Sequence, residues 1–164
     1  MLASIVQGMV HSHFRAGTPL DEIAAAVNGF LCQKSLEKYV TAFLVKLDPQ
    51  GGVEYVNCGH VPPVVVGKDG VRRLSESNVP VGLLEGASYQ KATTRMEKGD
   101  RLVLVTDGVT EAEDPDHDFF GDERLEQAAA AGTPFEGLFT VVHEFCKGQP
   151  LSDDCTIVEL TYRG

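Results

Sequence analysis

The chain lacks the features that identify membrane proteins and nucleic-acid-binding proteins. No apolar run in its 164 residues approaches the length of a membrane span, and no cleavable signal segment is visible. Positive charge is scarce, because 14 Lys and Arg stand against 24 Asp and Glu, which gives a formal net charge of -10. A phosphate backbone needs a basic surface, so the composition excludes nucleic acid as a partner. We expect a cytoplasmic protein with no membrane partner.

Several kinds of catalytic and metal site are also missing. The four cysteines form no C-x-x-C pair and have no histidine at zinc spacing, and three of them lie in apolar contexts typical of buried, reduced thiols. There is no G-x-S-x-G elbow, no glycine-rich phosphate loop and no clustered Cys-His pair. If the protein is an enzyme, metal-activated water is therefore the reagent that its residues favour.

What remains is the composition of one folded domain, with 43% hydrophobic and 23% charged residues. Apolar residues at helical spacing predict two leading helices. The first ends near Ala16-Gly17, and the second begins with Thr18 as N-cap and Pro19 at its first position. Two more helices are predicted near 121–131 and 134–147, after a block of strands.

The strand block begins at Tyr39, where the apolar period changes. Turn-forming residues at 49–52 and 68–70 predict two hairpins, and further strands are expected at 89–96, 101–106 and 155–163. Because hairpins connect antiparallel strands, and helices precede and follow the block, we predict an α+β fold.

Two of these strands have acidic ends. The apolar run RLVLV leads through Thr106 into Asp107-Gly108, and the last strand is preceded by Asp153-Asp154. A carboxylate at the end of a buried strand is partly dehydrated, rigidly held and still reachable from solvent, as hard divalent cations require. The two acidic ends, distant in the chain, together suggest one metal site.

Each acidic end also has a simpler interpretation as a turn. Asp-Gly after a strand is a common hairpin signal, and Asp153-Asp154 could be polar residues that precede a strand. A calcium loop starting at Asp114 is excluded, since Phe119 stands where glycine is needed and Leu125 where glutamate is needed. For His60, a hydrogen bond that fixes the local bend is a simpler role than catalysis.

In order and content, these segments together resemble the SpoIIE/RsbU-like branch of bacterial PPM-type serine/threonine phosphatases. The matching segments are YVTAFLVKLD, VEYVNCGHVPPVVV, VPVGLLEGASY, GDRLVLVTDGVTEA, FFGDERLE and SDDCTIVEL. The branch typically shows NAGHNPP, LPLG, TDGVTEA, FG…RL and DD.T elements in this order. The resemblance implies a layered α-β-β-α sandwich of two mainly antiparallel sheets flanked by helices, over a single domain at 1–164.

The resemblance also implies an active site. In the family, two Mn²⁺ or Mg²⁺ ions activate a bridging water that attacks the phosphorus of phosphoserine or phosphothreonine. Asp107 and Asp153 match family metal ligands and take the catalytic role, and Asp154 is a further metal-binding acid. Gly108 matches the glycine that allows close backbone approach beside the metals.

One element of the family pattern is missing. The first metal motif, roughly GD..GHG, precedes the first helix in the family, and this chain begins inside that helix, so we expect an N-terminally truncated, partial domain. Two functions follow. One is a signalling phosphatase that acts on a phosphorylated regulatory protein, such as an anti-sigma-factor antagonist, and that can form a homodimer through its leading helices. The other is an inactive pseudophosphatase that only binds a partner.

In the family, the missing motif supplies an aspartate that bridges both metal ions, and its absence leads to a prediction for the 164-residue chain. Repulsion among Asp107, Asp153 and Asp154 would be poorly compensated without it, so the chain should bind Mn²⁺ weakly. Strand edges and apolar surface that the missing segment covers in the family should also make the chain associate. Calorimetric titration with Mn²⁺ and sedimentation test both points, and tight binding with full turnover would contradict them.

Overall fold

A computed structural model of the protein describes residues 2–33 and 39–164. The helices are α1 (Leu2–Arg15), α2 (Leu20–Gln33), α3 (Asp107–Thr110), α4 (Gly121–Ala130) and α5 (Phe135–Cys146). The strands are β1 (Ala42–Leu47), β2 (Gly52–Cys58), β3 (Val64–Gly67), β4 (Gly70–Arg73), β5 (Ala92–Arg95), β6 (Arg101–Val105) and β7 (Ile157–Thr161). Within the described ranges, no helix combines the length and apolarity needed to cross a bilayer.

The chain divides into two compact units. The first contains residues up to His60 together with Glu76–Arg95, and the second contains Val61–Ser75 together with Met96–Gly164. Each unit has its own antiparallel sheet and its own buried apolar cluster.

The first unit packs α1 and α2 with a three-stranded sheet of order β1-β2-β5. The apolar face of α2 is fully buried at Ile23, Val27 and Leu31, in one cluster with Val56 of β2. The helix α1 has no fully buried residue, and on it Phe14 remains 46% exposed.

A buried asparagine fixes the bend that follows β2. Asn57 has no exposed surface, and its side-chain amide donates to the carbonyl of His60 at 3.0 Å and accepts the amide of His60 at 2.8 Å. Gly59 has a positive φ of 71°, and a Cβ there would lie 2.6 Å from the Pro80 side chain. Asn57 and Gly59 therefore both hold the bend, and the hydrogen bond expected of His60 remains a prediction.

The second unit has a four-stranded sheet of order β4-β3-β6-β7, with α3, α4 and α5. One buried apolar cluster contains residues of β3, β6 and β7 together with residues of the helices that pack on this sheet. Arg101 connects the parts: its guanidinium donates to Glu159 at 2.9 Å, to the Ala129 carbonyl at 2.9 Å and to the Thr133 carbonyl at 3.0 Å. The Ala129 carbonyl belongs to the last turn of α4, and the Thr133 carbonyl lies just beyond that helix. Arg101, a residue of β6, therefore binds the C-terminal end of α4.

The α+β class with two antiparallel sheets and flanking helices is confirmed, and each predicted strand and long helix occurs within a few residues of its expected bounds. The start of α2 differs, because the Pro19 carbonyl accepts the Ile23 amide and α2 begins one residue later than predicted. The four-residue helix α3 was not predicted. The single-domain assignment and the partial N-terminus remain predictions.

The first unit contains a thiol that should make stability depend on alkaline pH. Burial raises the pKa of Cys58 from 9.0 to about 12. The folded state therefore favours the neutral thiol. The stabilisation of the folded state that results is fully present below pH 9 and is lost as the pH rises towards 12. Between pH 9 and 12 the unfolding free energy of the unaltered protein should fall with pH. In Cys58→Ala this fall should be smaller by up to about 1.4 kcal/mol per pH unit.

Denaturant titrations between pH 8 and 11 measure this slope. The control is Val56→Ala, which removes apolar volume from the same buried cluster without removing a titratable group. Identical slopes for Cys58→Ala and the unaltered protein would refute the expectation.

Candidate metal centre

Asp107 lies where β6 leaves the core. Leu102, Val103 and Val105 of this strand are buried, and Thr106 continues the extended backbone with φ -77° and ψ 161°. The chain then forms α3, in which the three residues after Asp107 are buried while Asp107 itself is exposed. The hairpin interpretation of Asp-Gly is therefore wrong: a helical turn anchored in the core holds the carboxylate at the surface.

Asp153 and Asp154 lie in the segment between α5 and β7, and both are exposed. The Asp154 amide donates to Asp153 Oδ1 at 2.7 Å, and the Gly108 amide donates in the same way to Asp107 Oδ1 at 3.1 Å. Each of these bonds engages one carboxylate oxygen and restricts the rotation of its side chain.

Hydrogen bonds join the two acidic segments. The Thr106 hydroxyl donates to the Asp154 carbonyl at 3.0 Å and accepts the Thr156 amide at 2.8 Å. The Thr106 amide donates to the Thr156 carbonyl at 3.0 Å, which extends the β6–β7 pairing beyond Val105 and Ile157. The two segments, far apart in the chain, are therefore direct neighbours in the second unit, and the metal site suggested by the sequence remains a prediction.

Gly108 allows this close approach. A Cβ at this position would lie 2.7 Å from the Asp154 carbonyl oxygen and 3.2 Å from the Asp153 carbonyl carbon. The Cys155 thiol lies 3.0 Å from the Gly108 carbonyl, and burial, followed by the effects of Cys146, Asp153 and Asp154, raises the pKa of this thiol. The neutral thiol can therefore donate to Gly108 from the opposite segment.

The donor set fits part of a centre for hard divalent cations. It consists of three exposed carboxylates on two hydrogen-bonded segments, and oxygen ligands of this kind suit Mn²⁺ and Mg²⁺. Within residues 2–33 and 39–164, however, no three His, Cys, Asp or Glu side chains are grouped closely enough to hold an ion. The role of Asp107, Asp153 and Asp154 as ligands remains a prediction.

Asp114, in the loop that follows α3, has a structural role. Asp114 is only 7% exposed, and its Oδ1 accepts the amides of Asp116 and Asp118 at 2.9 and 3.1 Å. Burial opposes ionisation, but these amides and the nearby Lys147 outweigh it and keep the pKa of Asp114 below its usual value. A charged Asp114 therefore holds the loop, and no sequence signal distinguished it from its exposed neighbours.

Comparison with a known family gives a match along almost the whole chain. The family described as Stage II sporulation protein E (SpoIIE) matches residues 1–163. The phosphoserine phosphatase RsbP of Bacillus subtilis is 32% identical over 73 residues, which cover 43% of this chain and 18% of RsbP. A second curated relative is matched over 15% of its length, so the chain corresponds to a minor part of both proteins.

Solved structures show the same fold. The PP2C phosphatase domain of SpoIIE from Bacillus subtilis, with a fragment of its regulatory domain, matches 96% of this chain and 48% of its own with a TM-score of 0.81 and 22% identity. The RsbU and RsbW domains of a Mycobacterium tuberculosis protein match 99% of this chain and 47% of theirs with a TM-score of 0.80 and 22% identity. Other structures of this fold include a manganese-soaked SpoIIE phosphatase domain and RsbX in complex with magnesium.

The contact at Gly108 generates a prediction. Gly108→Ala should lower the unfolding free energy by about 1–3 kcal/mol, because the backbone of the acidic segment at 153–154 must move away from the new methyl group. Gly29→Ala on α2 is the matched control, since nothing lies within 4 Å of a Cβ there, and it should stabilise the protein by about 0.5–1 kcal/mol. Denaturant unfolding of both variants measures the difference, and stabilisation by both would contradict the close contact.

Proposed function

Because this chain belongs to the SpoIIE family of phosphatase domains, we propose that it hydrolyses phosphoserine or phosphothreonine on a regulatory protein. The observation that carries the proposal is the contact between the two acidic segments, in which Thr106 at the end of β6 binds the Asp154 carbonyl at 3.0 Å. Phosphoester hydrolysis with activated water needs carboxylates gathered at one place on a rigid frame.

In the proposed site, the carboxylates of Asp107, Asp153 and Asp154 hold the divalent cations. Two Mn²⁺ or Mg²⁺ ions, when bound, supply an activated water and neutralise phosphate charge. Asp107 and Asp153 are the catalytic residues in this proposal because they would touch the reacting ions. Gly108 has no side chain and so keeps the two backbones close enough for the acids to act together.

Electrostatics makes substrate binding depend on these cations. Three exposed carboxylates on adjacent turns repel one another and also repel a phosphate dianion, and the net charge of -10 adds to this repulsion. We therefore expect phosphate to bind only when cations are present. The same repulsion limits cation binding unless further charge compensation is available.

The proposed substrate is a phosphorylated regulatory protein in the cytoplasm, such as an anti-sigma-factor antagonist. The similarity to a protein that contains RsbU and RsbW domains supports a role in such signalling. A homodimer through the leading helices is part of the proposal. It is supported by the exposed Ile5 and Phe14 and by an apolar groove of about 420 Å³ that Val6, Val10 and Phe14 help to line.

A second candidate function is a non-catalytic module that binds a regulatory partner through the same scaffold. The specific observation in its favour is that the described residues contain no cluster of three metal-binding side chains. Against it stand the three acids, since a scaffold without metal chemistry has no need to place exposed carboxylates on touching segments.

Replacement of Asp107 distinguishes the two functions. Asp107→Asn should lower Mn²⁺-dependent hydrolysis of a chromogenic phosphate ester and of a phosphoserine peptide by more than about 100-fold. Loss of a hydrogen bond that supports a metal ligand lowers activity by roughly 10–100-fold, and loss of the ligand itself should lower it further. It should also weaken Mn²⁺ binding in a calorimetric titration. Both measurements use the full-length protein.

The matched control is Asp116→Asn, which removes the same charge from an exposed side chain of the second unit. It should keep the hydrolysis rate and the Mn²⁺ affinity. Equal rates for Asp107→Asn and the unaltered protein would remove Asp107 from the site. Absence of Mn²⁺-dependent hydrolysis in the unaltered full-length protein would favour the binding module.

A further inference from the structure

Thr106 follows β6 and contacts the segment that precedes β7. Its hydroxyl and its amide together form three hydrogen bonds, of 2.8 to 3.0 Å, with Asp154 and Thr156. All three partners are main-chain groups, and they lie in the segment that also carries Asp153. Thr106 itself immediately precedes Asp107. One side chain thus connects the two places where the proposed ligands lie.

We propose that Thr106 is a positioning residue of the metal centre and that its hydroxyl holds the segment of Asp153 and Asp154 in place beside Asp107. This inference rests on the proposed function, because positioning matters only if the acids bind cations together. Thr106 does not touch the cations or the substrate in this role. It acts through the backbone of the opposite segment.

The chemistry of a hydroxyl suits this role. A threonine hydroxyl has one donor and two acceptor sites, and here the donor is used by the Asp154 carbonyl and one acceptor by the Thr156 amide. The β-branched side chain has few χ1 states, so little freedom is lost when both bonds form. A valine has the same shape but can make neither bond, whereas a serine can make both.

Removal of the Thr106 hydroxyl should disturb the position of the segment that carries Asp153 and Asp154 more than it destabilises the fold. Asp154 and Thr156 are exposed, so water can replace the lost partners of their main-chain groups. The backbone bond from the Thr106 amide to the Thr156 carbonyl also remains. The segment should therefore stay folded but fluctuate more, and supporting contacts of this kind change metal affinity by roughly 10–100-fold.

The test compares Thr106→Val with Thr106→Ser by two measurements. The first is amide hydrogen exchange without metal, in which the Thr156 amide should exchange at least about 10-fold faster in Thr106→Val and close to the unaltered rate in Thr106→Ser. The second is Mn²⁺ affinity, followed by the electron paramagnetic resonance of free Mn²⁺. Thr106→Val should bind at least about 10-fold more weakly, and Thr106→Ser should recover most of the affinity.

Thr93→Val serves as the control, because Thr93 is an exposed residue of β5 in the first unit. It should change neither measurement. Unchanged Thr156 exchange in Thr106→Val would overturn the inference, and so would faster exchange with unchanged Mn²⁺ affinity. If the unaltered protein binds no Mn²⁺, the proposed function fails instead, and the metal-free exchange still decides whether Thr106 holds the two segments together.

Discussion

The structure of the second unit depends on the contact between the end of β6 and the segment that precedes β7. The β6–β7 ladder pairs Val105 with Ile157, and Thr106 extends it by three further hydrogen bonds. Immediately after Thr106, the missing side chain of Gly108 leaves room for the opposite backbone. Because α3 is anchored by buried residues, the Asp107 carboxylate is carried to the surface at this contact. A larger residue at 108 would separate the very segments that the proposed chemistry needs together.

Burial separates Asp114 from the three acids of the proposed metal centre. Asp114 is buried and accepts backbone amides within its own loop, so its charge is used to hold the structure. Asp107, Asp153 and Asp154 are exposed, and the carboxylates of Asp107 and Asp153 each accept the amide of the following residue. Exposure leaves Asp107, Asp153 and Asp154 available to a cation, whereas Asp114 is already occupied by the amides of its own loop.

Much of the fold could be predicted because its signals are local. The turn residues at 49–52 fix the β1–β2 hairpin, and the buried stripe of α2 follows helical spacing. Local signals failed where a contact from elsewhere decided the outcome. The bend after β2 packs Gly59 against Pro80, which is 21 positions further along the chain, and the end of α4 accepts hydrogen bonds from Arg101 of a strand. Thr106 resembled any polar residue before a turn, since its partners are 48 and 50 positions further along the chain.

The amino-acid sequence alone therefore determined the α+β class, the order of helices and strands, and the identity of the acids at the strand ends, because periodicity and turn chemistry act over a few residues. The family resemblance rested on the same short elements. Only the tertiary structure decided that β6, which leads to Asp107, pairs with β7, which follows Asp153 and Asp154. It also decided that Gly108 packs against the backbone of Asp153 and Asp154 and that Asp114 binds the amides of its own loop. These outcomes depend on strand pairing and burial across the fold, and neither is encoded at any single position.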